Sequence, residues 1–328
     1  MSNINNPNLL TQSVLRRFSP LDGIGVDLSA ATSYQEALTL SGLGFNPIQE
    51  KMTTQSGRPI TGYKALFNSI TDTQLSVVTN QYTVISNEEA FQTAEDLVDF
   101  EGFKYEMSNM QKDGARSRLI LSGPNVFIAG EEYTPYAVFN NSFDLSKSVC
   151  IQFMFMRLAC LNGLMRKAPH CNSTIALAHF GKKEEKLKKL TKFRNRFAIT
   201  LNYLQREAEA LQSTPLTRAE FKDEICQFAA AHSFQRKKGQ VLTDVQQARQ
   251  DDFILAALQA YDAIDTANYN NTAFKAQLAF ADIDSHLAPF VNRNRADLYL
   301  DRILQSNTIL STANAVSNYL IKSRHIVI

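Results

Sequence analysis

The sequence predicts an α+β protein, with an N-terminal mixed or antiparallel sheet core and packed helix, then a mostly helical C-terminal half. Three observations predict it. Between Asn46 and Arg157, short runs of β-branched and aromatic residues alternate with turns containing Gly, Pro and Asn. From Lys182 to Gln212, apolar residues recur three or four apart, the spacing of one helical face. The composition also changes sharply after about residue 170. A chain of 328 residues holds about two domains. The expected division is a flexible arm over 1–30, an α+β core over 31–168 and a helical region over 169–328.

The arm is rich in Asn, Ser and Gly and broken by Pro7 and Pro20. Ser33 then has the position of an N-cap, with Glu36 at the capping-box spacing, and Gly42 stops that helix. Strands are predicted at Asn46–Met52, Tyr63–Phe67, Leu75–Thr79 and Tyr82–Ile85. Asn87 is the expected N-cap of a helix carrying Ala90, Phe91, Ala94, Leu97 and Val98, with Glu88 and Glu89 favoured by the dipole. Further strands follow at Phe103–Met107, Arg116–Leu121, Asn125–Ala129 and Tyr136–Asn140, the first two joined through Lys112-Asp-Gly114 as a hairpin. In Val149–Arg157 both alternating sets are apolar, which places it as a central strand covered on both faces.

Beyond residue 180 the expected elements are helices. The first is one long helix over Lys182–Gln212, ended by Pro215. A second opens at the capping box Thr217-Arg-Ala-Glu220, and a third at Thr243-Asp244. Two more span Asn271–Leu287 and Arg295–Ile321.

Several function classes lack their signatures. No P-loop, strand-borne GxGxxG, GxSxG elbow or HExxH occurs, and no cofactor is expected. Cys150, Cys160, Cys171 and Cys226 form no CxxC pair, and Cys160, His170, Cys171 and His179 fit no common zinc spacing. Asp282, Asp284 and His286 could hold a cation, but a surface pair of Asp282 and His286 explains them as well. No apolar run approaches the about 20 residues of a membrane span, so a cytoplasmic protein with reduced thiols is expected.

Three stretches together resemble one family. Ser33-Tyr-Gln-Glu-Ala-Leu-Thr-Leu-Ser-Gly-Leu-Gly-Phe45 resembles its opening block. Leu75-Ser-Val-Val-Thr-Asn-Gln-Tyr-Thr-Val-Ile-Ser-Asn-Glu-Glu-Ala-Phe91 is similar to its signature. Asn141-Ser-Phe-Asp144, followed by Met156-Arg-Leu-Ala-Cys-Leu-Asn-Gly-Leu164, resembles a third block. The family is the phage/plasmid-like domain of unknown function nine-three-two. The chain departs from it at Leu161, where Ser is common, and at Asp284-Ser-His286, where the family has adjacent Asp and His. The resemblance implies a mobile-element origin and hands over no catalytic residue. At the level of fold, a hairpin, a helix across a sheet and a basic extension are similar to ring-forming single-strand annealing proteins.

The charge is unevenly placed. Arg157 to Arg196 holds eleven Lys and Arg against Glu184 and Glu185, a local +9 in a chain of net +2. Such a block suits a polyanion-binding face. The candidate nucleic-acid contacts are Arg116, Arg118, Arg157, Arg166, Lys167, Lys182, Lys183, Lys188, Lys189, Lys192, Arg194 and Arg196. Each has a structural alternative. Arg157 could pair internally with Asp144 or loop carbonyls, Arg116 and Arg118 could guard a sheet edge, and the basic helix could be a solvated face.

The expectation is a non-enzymatic, homo-oligomeric nucleic-acid-binding protein of phage or plasmid DNA metabolism, single-stranded DNA being the favoured partner. The alternatives are a structural or host-interaction protein of a phage, and a metal-dependent nuclease.

Overall fold

A computed structural model describes residues 25–157, 162–164, 174–190, 195–232, 241–264, 269–282 and 318–327. The fold is α+β. Its main sheet has eight strands, all paired antiparallel. These are β1 (Val26–Asp27), β5 (Lys104–Gln111), β6 (Arg116–Ser122), β7 (Val126–Ile128), β8 (Glu131–Ser142), β9 (Val149–Arg157), β10 (Asn162–Leu164) and β11 (Thr174–Leu177). The order is β1-β5-β6-β8-β9-β10, with β7 also on β8 and β11 also on β9. A second sheet joins β2 (Pro47–Thr53), β3 (Pro59–Asn68) and β4 (Gln74–Thr79).

The sheet forms where side-chain alternation matches burial. In β9, Val149, Ile151, Phe153 and Phe155 enter the main apolar core, and Met154 and Met156 on the other face are buried too. β9 is therefore the covered central strand its sequence predicts. The β5–β6 hairpin turns at Lys112, Asp113 and Gly114, which all take positive φ (51°, 54° and 101°). At the sheet edge Gly25 admits close approach, because a Cβ there would lie 2.0 Å from the Ser108 carbonyl oxygen.

The helices are α1 (Tyr34–Ser41), α2 (Asn87–Phe91), α3 (Thr93–Glu101), α4 (Lys183–Leu190), α5 (Arg196–Gln212), α6 (Arg218–His232), α7 (Asp244–Ala263) and α8 (Ala273–Asp282). Ser33 caps α1, while Glu36 turns back to the backbone and hydroxyl of Thr32. Thr217–Glu220 and Thr243–Gln246 form the capping boxes of α6 and α7. One apolar cluster runs from Leu28 through the sheet to Leu320, and Phe197 of α5 meets Phe103, Phe153 and Phe155 within it. Both halves of the chain thus share a core.

Four expectations need correction. Tyr82–Ile85 is not a strand: it makes one bridge, Tyr82 to Phe180, and its β-forming residues are used for burial instead. The cap of α2 is Ser86, whose hydroxyl accepts from the Glu89 amide while the Glu89 carboxylate accepts from the Ser86 amide. The helix predicted after it is two helices, meeting at Gln92. The region expected to be helical contributes a strand, β11, to the main sheet. The long helix over Lys182–Gln212 is seen as α4 and α5 on either side of 191–194, which lie outside the described residues.

Candidate functional site

The sequence-predicted cations divide according to what the fold brings beside them. Arg116 and Lys112 both reach the Asp144 carboxylate, at 2.9 and 3.0 Å. Burial alone pushes the Asp144 carboxyl up, but hydrogen bonds from Ser146 and Lys112 and the Arg116 charge outweigh it and hold it below the usual range. Arg118 is buried within the sheet and donates to the Asn140 side chain at 2.9 Å. Arg157 is buried at the end of β9. Its Nε and Nη2 lie 2.9 and 2.8 Å from Glu131, and Nη2 also donates to the Tyr269 hydroxyl at 2.7 Å. The internal-partner reading of Arg157 names the right kind of group on the wrong residue, since Asp144 is occupied by Lys112 and Arg116. These arginines fasten the sheet to its neighbours.

The lysines of α4 behave differently. Lys182, Lys188 and Lys189 are exposed, and Lys182 lies 3.5 Å from Glu185 across a solvated pair. Lys183 is partly covered and reaches Glu89 of α2 at 2.6 Å. Burial pushes the Glu89 carboxyl up, but Lys183 and Ser86 more than reverse this and hold it below the usual range. Lys186 turns inward to the Ala178 carbonyl. Arg196 opens α5 half-buried. Arg166, Lys167, Lys192 and Arg194 lie outside the described residues, as do Cys160, His170, Cys171, Asp284 and His286. Among the described residues no three His, Cys, Asp or Glu converge as a metal site.

What anchors α4 is a strap formed by residues 178–182 over the loop 80–86. The Thr83 amide donates to the His179 carbonyl at 2.7 Å, and the Thr83 hydroxyl to the Gly181 carbonyl at 2.9 Å. Tyr82 stacks on His179 with centroids 4.9 Å apart and meets Phe180 edge-on. Gly181, at φ 93°, makes the turn into the helix. Between the loop 80–86, α2, the start of α4 and the β2–β3 sheet lies a cleft of about 630 Å³, whose walls include Lys64, Lys183, Glu88, Glu89, Gln49 and Tyr82. Sequence reasoning missed Lys64, Tyr82 and Glu88 as members of one site, because three separate segments supply them.

His179 is buried, its Nδ1 faces the Thr83 carbonyl at 3.3 Å, and Nε2 has no hydrogen-bond partner among the described residues. Burial depresses its pKa from 6.5 to about 4, with the Lys186 charge adding to the effect. The unfolded chain therefore takes up this proton first as the pH falls. Stability from the neutral ring is complete above pH 6.5 and is lost as the pH drops toward about 4. The loss amounts to about 3 kcal/mol. His179→Phe keeps a ring against Tyr82 and is expected to flatten this dependence, read from urea midpoints above and below the window. An equally steep profile in the variant would show that other groups carry it.

The resemblance-bearing segments meet inside the molecule. The Asn87 side chain donates to the Leu43 carbonyl at 3.1 Å and to the Ser117 hydroxyl at 3.2 Å, and accepts from Asn141 at 3.1 Å. Asn141 also donates to the Ile85 carbonyl at 2.9 Å. This buried network locks α1, α2 and β8 together behind the cleft. No helix among the described residues is long and apolar enough to cross a membrane. No curated protein and no solved structure matches the chain. A family model described as domain of unknown function (DUF932) matches residues 74–325, well over half of the sequence, and the chain belongs to that family.

Proposed function

We propose that this protein is a non-enzymatic nucleic-acid-binding protein, single-stranded DNA being its first partner, which serves phage or plasmid DNA metabolism as a homo-oligomer in the host cytoplasm. The observation that carries the reading is the set of exposed lysines just before and along α4. Lys182, just before the helix, and Lys188 and Lys189, in its last turn, stand exposed, while Lys64 and Lys183 line a polar cleft at its start. The sheet arginines Arg116, Arg118 and Arg157 are assigned to holding the fold, so the interface is smaller than the charge count implies. Roughly four phosphate contacts on a single strand give a slope of about −3 for log affinity against log salt.

Fluorescence anisotropy with a labelled oligonucleotide across a salt series tests this. The combined variant Lys182→Glu, Lys188→Glu, Lys189→Glu is expected to flatten the slope by about 2 and weaken binding at least about tenfold. Affinity independent of salt, or no binding at all, would remove the proposal. Light scattering of the same samples with and without oligonucleotide reads the self-association.

A further inference from the structure

We propose that the β2–β3 hairpin is a second phosphate-contacting element, in which Lys51, Arg58 and Lys64 hold the backbone of the same single strand that meets the lysines of α4. This role rests on the nucleic-acid reading above and adds a second surface to it. From Lys51 to Thr71 the chain carries these three cations and no acidic residue. Among the described residues none of the three has a carboxylate within ion-pair distance. The Lys64 ammonium donates to a neutral group, the Gln49 side chain, at 3.1 Å.

The register sets two of these charges face to face. Lys51 of β2 lies opposite Lys64 of β3, while Glu50 pairs with Ala65 on the other face of the sheet. Like charges directly opposite destabilise a sheet. β2 is an edge strand, where a lysine can ward off another sheet. β3 lies between β2 and β4, so that explanation does not reach Lys64. An anion seated between the two ammonium groups replaces their repulsion with attraction to both. Gln49, Lys64 and Lys183 all line the cleft, and Lys51 shares the sheet face of Gln49 and Lys64. The cleft therefore links the hairpin cations to the start of α4.

The hairpin is also shaped to reach a partner. β4 pairs with β3 from Tyr63 to Phe67, and the Asn80 amide adds a last bond to the Gly62 carbonyl. Beyond that point the hairpin runs on as two strands, and every residue from Thr53 to Pro59 is exposed. The tip is nonetheless fixed. The Thr54 amide donates to the Arg58 carbonyl at 2.8 Å, and the Arg58 amide to the Thr54 hydroxyl at 3.1 Å. Arg58 is thus presented from an ordered turn, where a contact loses little backbone entropy.

The test is anisotropy with fluorescein-labelled oligo-dT over a salt series. Each phosphate contact on a single strand adds about −0.7 to the slope of log affinity against log salt. The double variant Lys51→Gln, Arg58→Gln is expected to flatten the slope by about 1.4 and to weaken binding about tenfold at low salt, and Lys51→Arg, Arg58→Lys to keep both. The urea midpoint of the Gln variant is expected to stay at or above that of the unaltered protein, because a like-charge opposition has been relieved. An unchanged slope in the Gln variant, with salt-dependent binding by the unaltered protein, would overturn the hairpin's part and leave the α4 interface standing. Binding of labelled poly-glutamate as tight as that of oligo-dT, and lost in the same variant, would assign the hairpin to an acidic protein and overturn it as well. Absence of salt-dependent binding to oligo-dT by the unaltered protein would remove both readings.

Discussion

Replacing Phe197 with alanine is expected to lower the stability of the whole chain by about 3–5 kcal/mol. The ring of Phe197 lies 5.2 Å from Phe103, 5.2 Å from Phe153 and 6.2 Å from Phe155, centroid to centroid, and is buried. Phe103 immediately precedes β5 and the other two belong to β9, so the side chain joins α5 to the sheet. Removing it opens a cavity between rigid elements that cannot collapse readily. Because one apolar cluster spans both halves, the loss is expected in a single cooperative transition. Urea unfolding followed by far-ultraviolet circular dichroism, and separately by tyrosine fluorescence, would check this. Two separated transitions, with only the helical one displaced, would contradict the shared core.

Glu131→Ala is expected to have an effect of the same size by a different route. Glu131 accepts from Arg157 Nε at 2.9 Å and from the Tyr269 hydroxyl at 2.5 Å, and Arg157 is buried. Taking the carboxylate away removes the Glu131 charge from a buried guanidinium, which costs about 3–5 kcal/mol. Tyr269→Phe removes one hydrogen-bonding hydroxyl and is expected to cost about 1–2 kcal/mol. The double variant Glu131→Leu, Arg157→Met should recover much of the single-variant loss, because both charges leave together. If Glu131→Ala unfolds at the same urea midpoint as the unaltered chain, the pair is not holding β8 and β9 to the segment before α8.

The fold was legible where local chemistry decides it. The caps at Ser33, Thr217 and Thr243 follow from three- and four-residue patterns, and β9 follows from its two apolar faces. The misreadings lie where distant partners decide. Ser86 and Asn87 are adjacent polar residues, both suited to a cap, and only the buried bonds of Asn87 to Leu43, Ser117 and Asn141 separate them. Tyr82–Ile85 has strand-forming residues, but the segment that would pair with it comes from the strap and offers a single bridge.

The surplus of cations was legible as composition and misleading as geometry. A charge count along the chain cannot register that Glu89 comes to Lys183, or that Asp144 comes to Arg116 across 28 positions. The cleft was hidden for the same reason. Lys64, Glu88 and Lys183 become neighbours only after β3, α2 and α4 have packed.

The strap carries a thermodynamic corollary. Its residues furnish the exposed Phe180 ring and Lys182, and it is held by the two bonds from Thr83, the His179 ring nitrogen at the Thr83 carbonyl, Lys186 on the Ala178 carbonyl and one stacked ring pair. Any guest seated against it adds its own binding energy to keeping that seam shut, and hydrogen exchange at the Thr83 amide should slow in proportion to occupancy. Ligand capture and closure of residues 178–182 are then one equilibrium viewed from two sides.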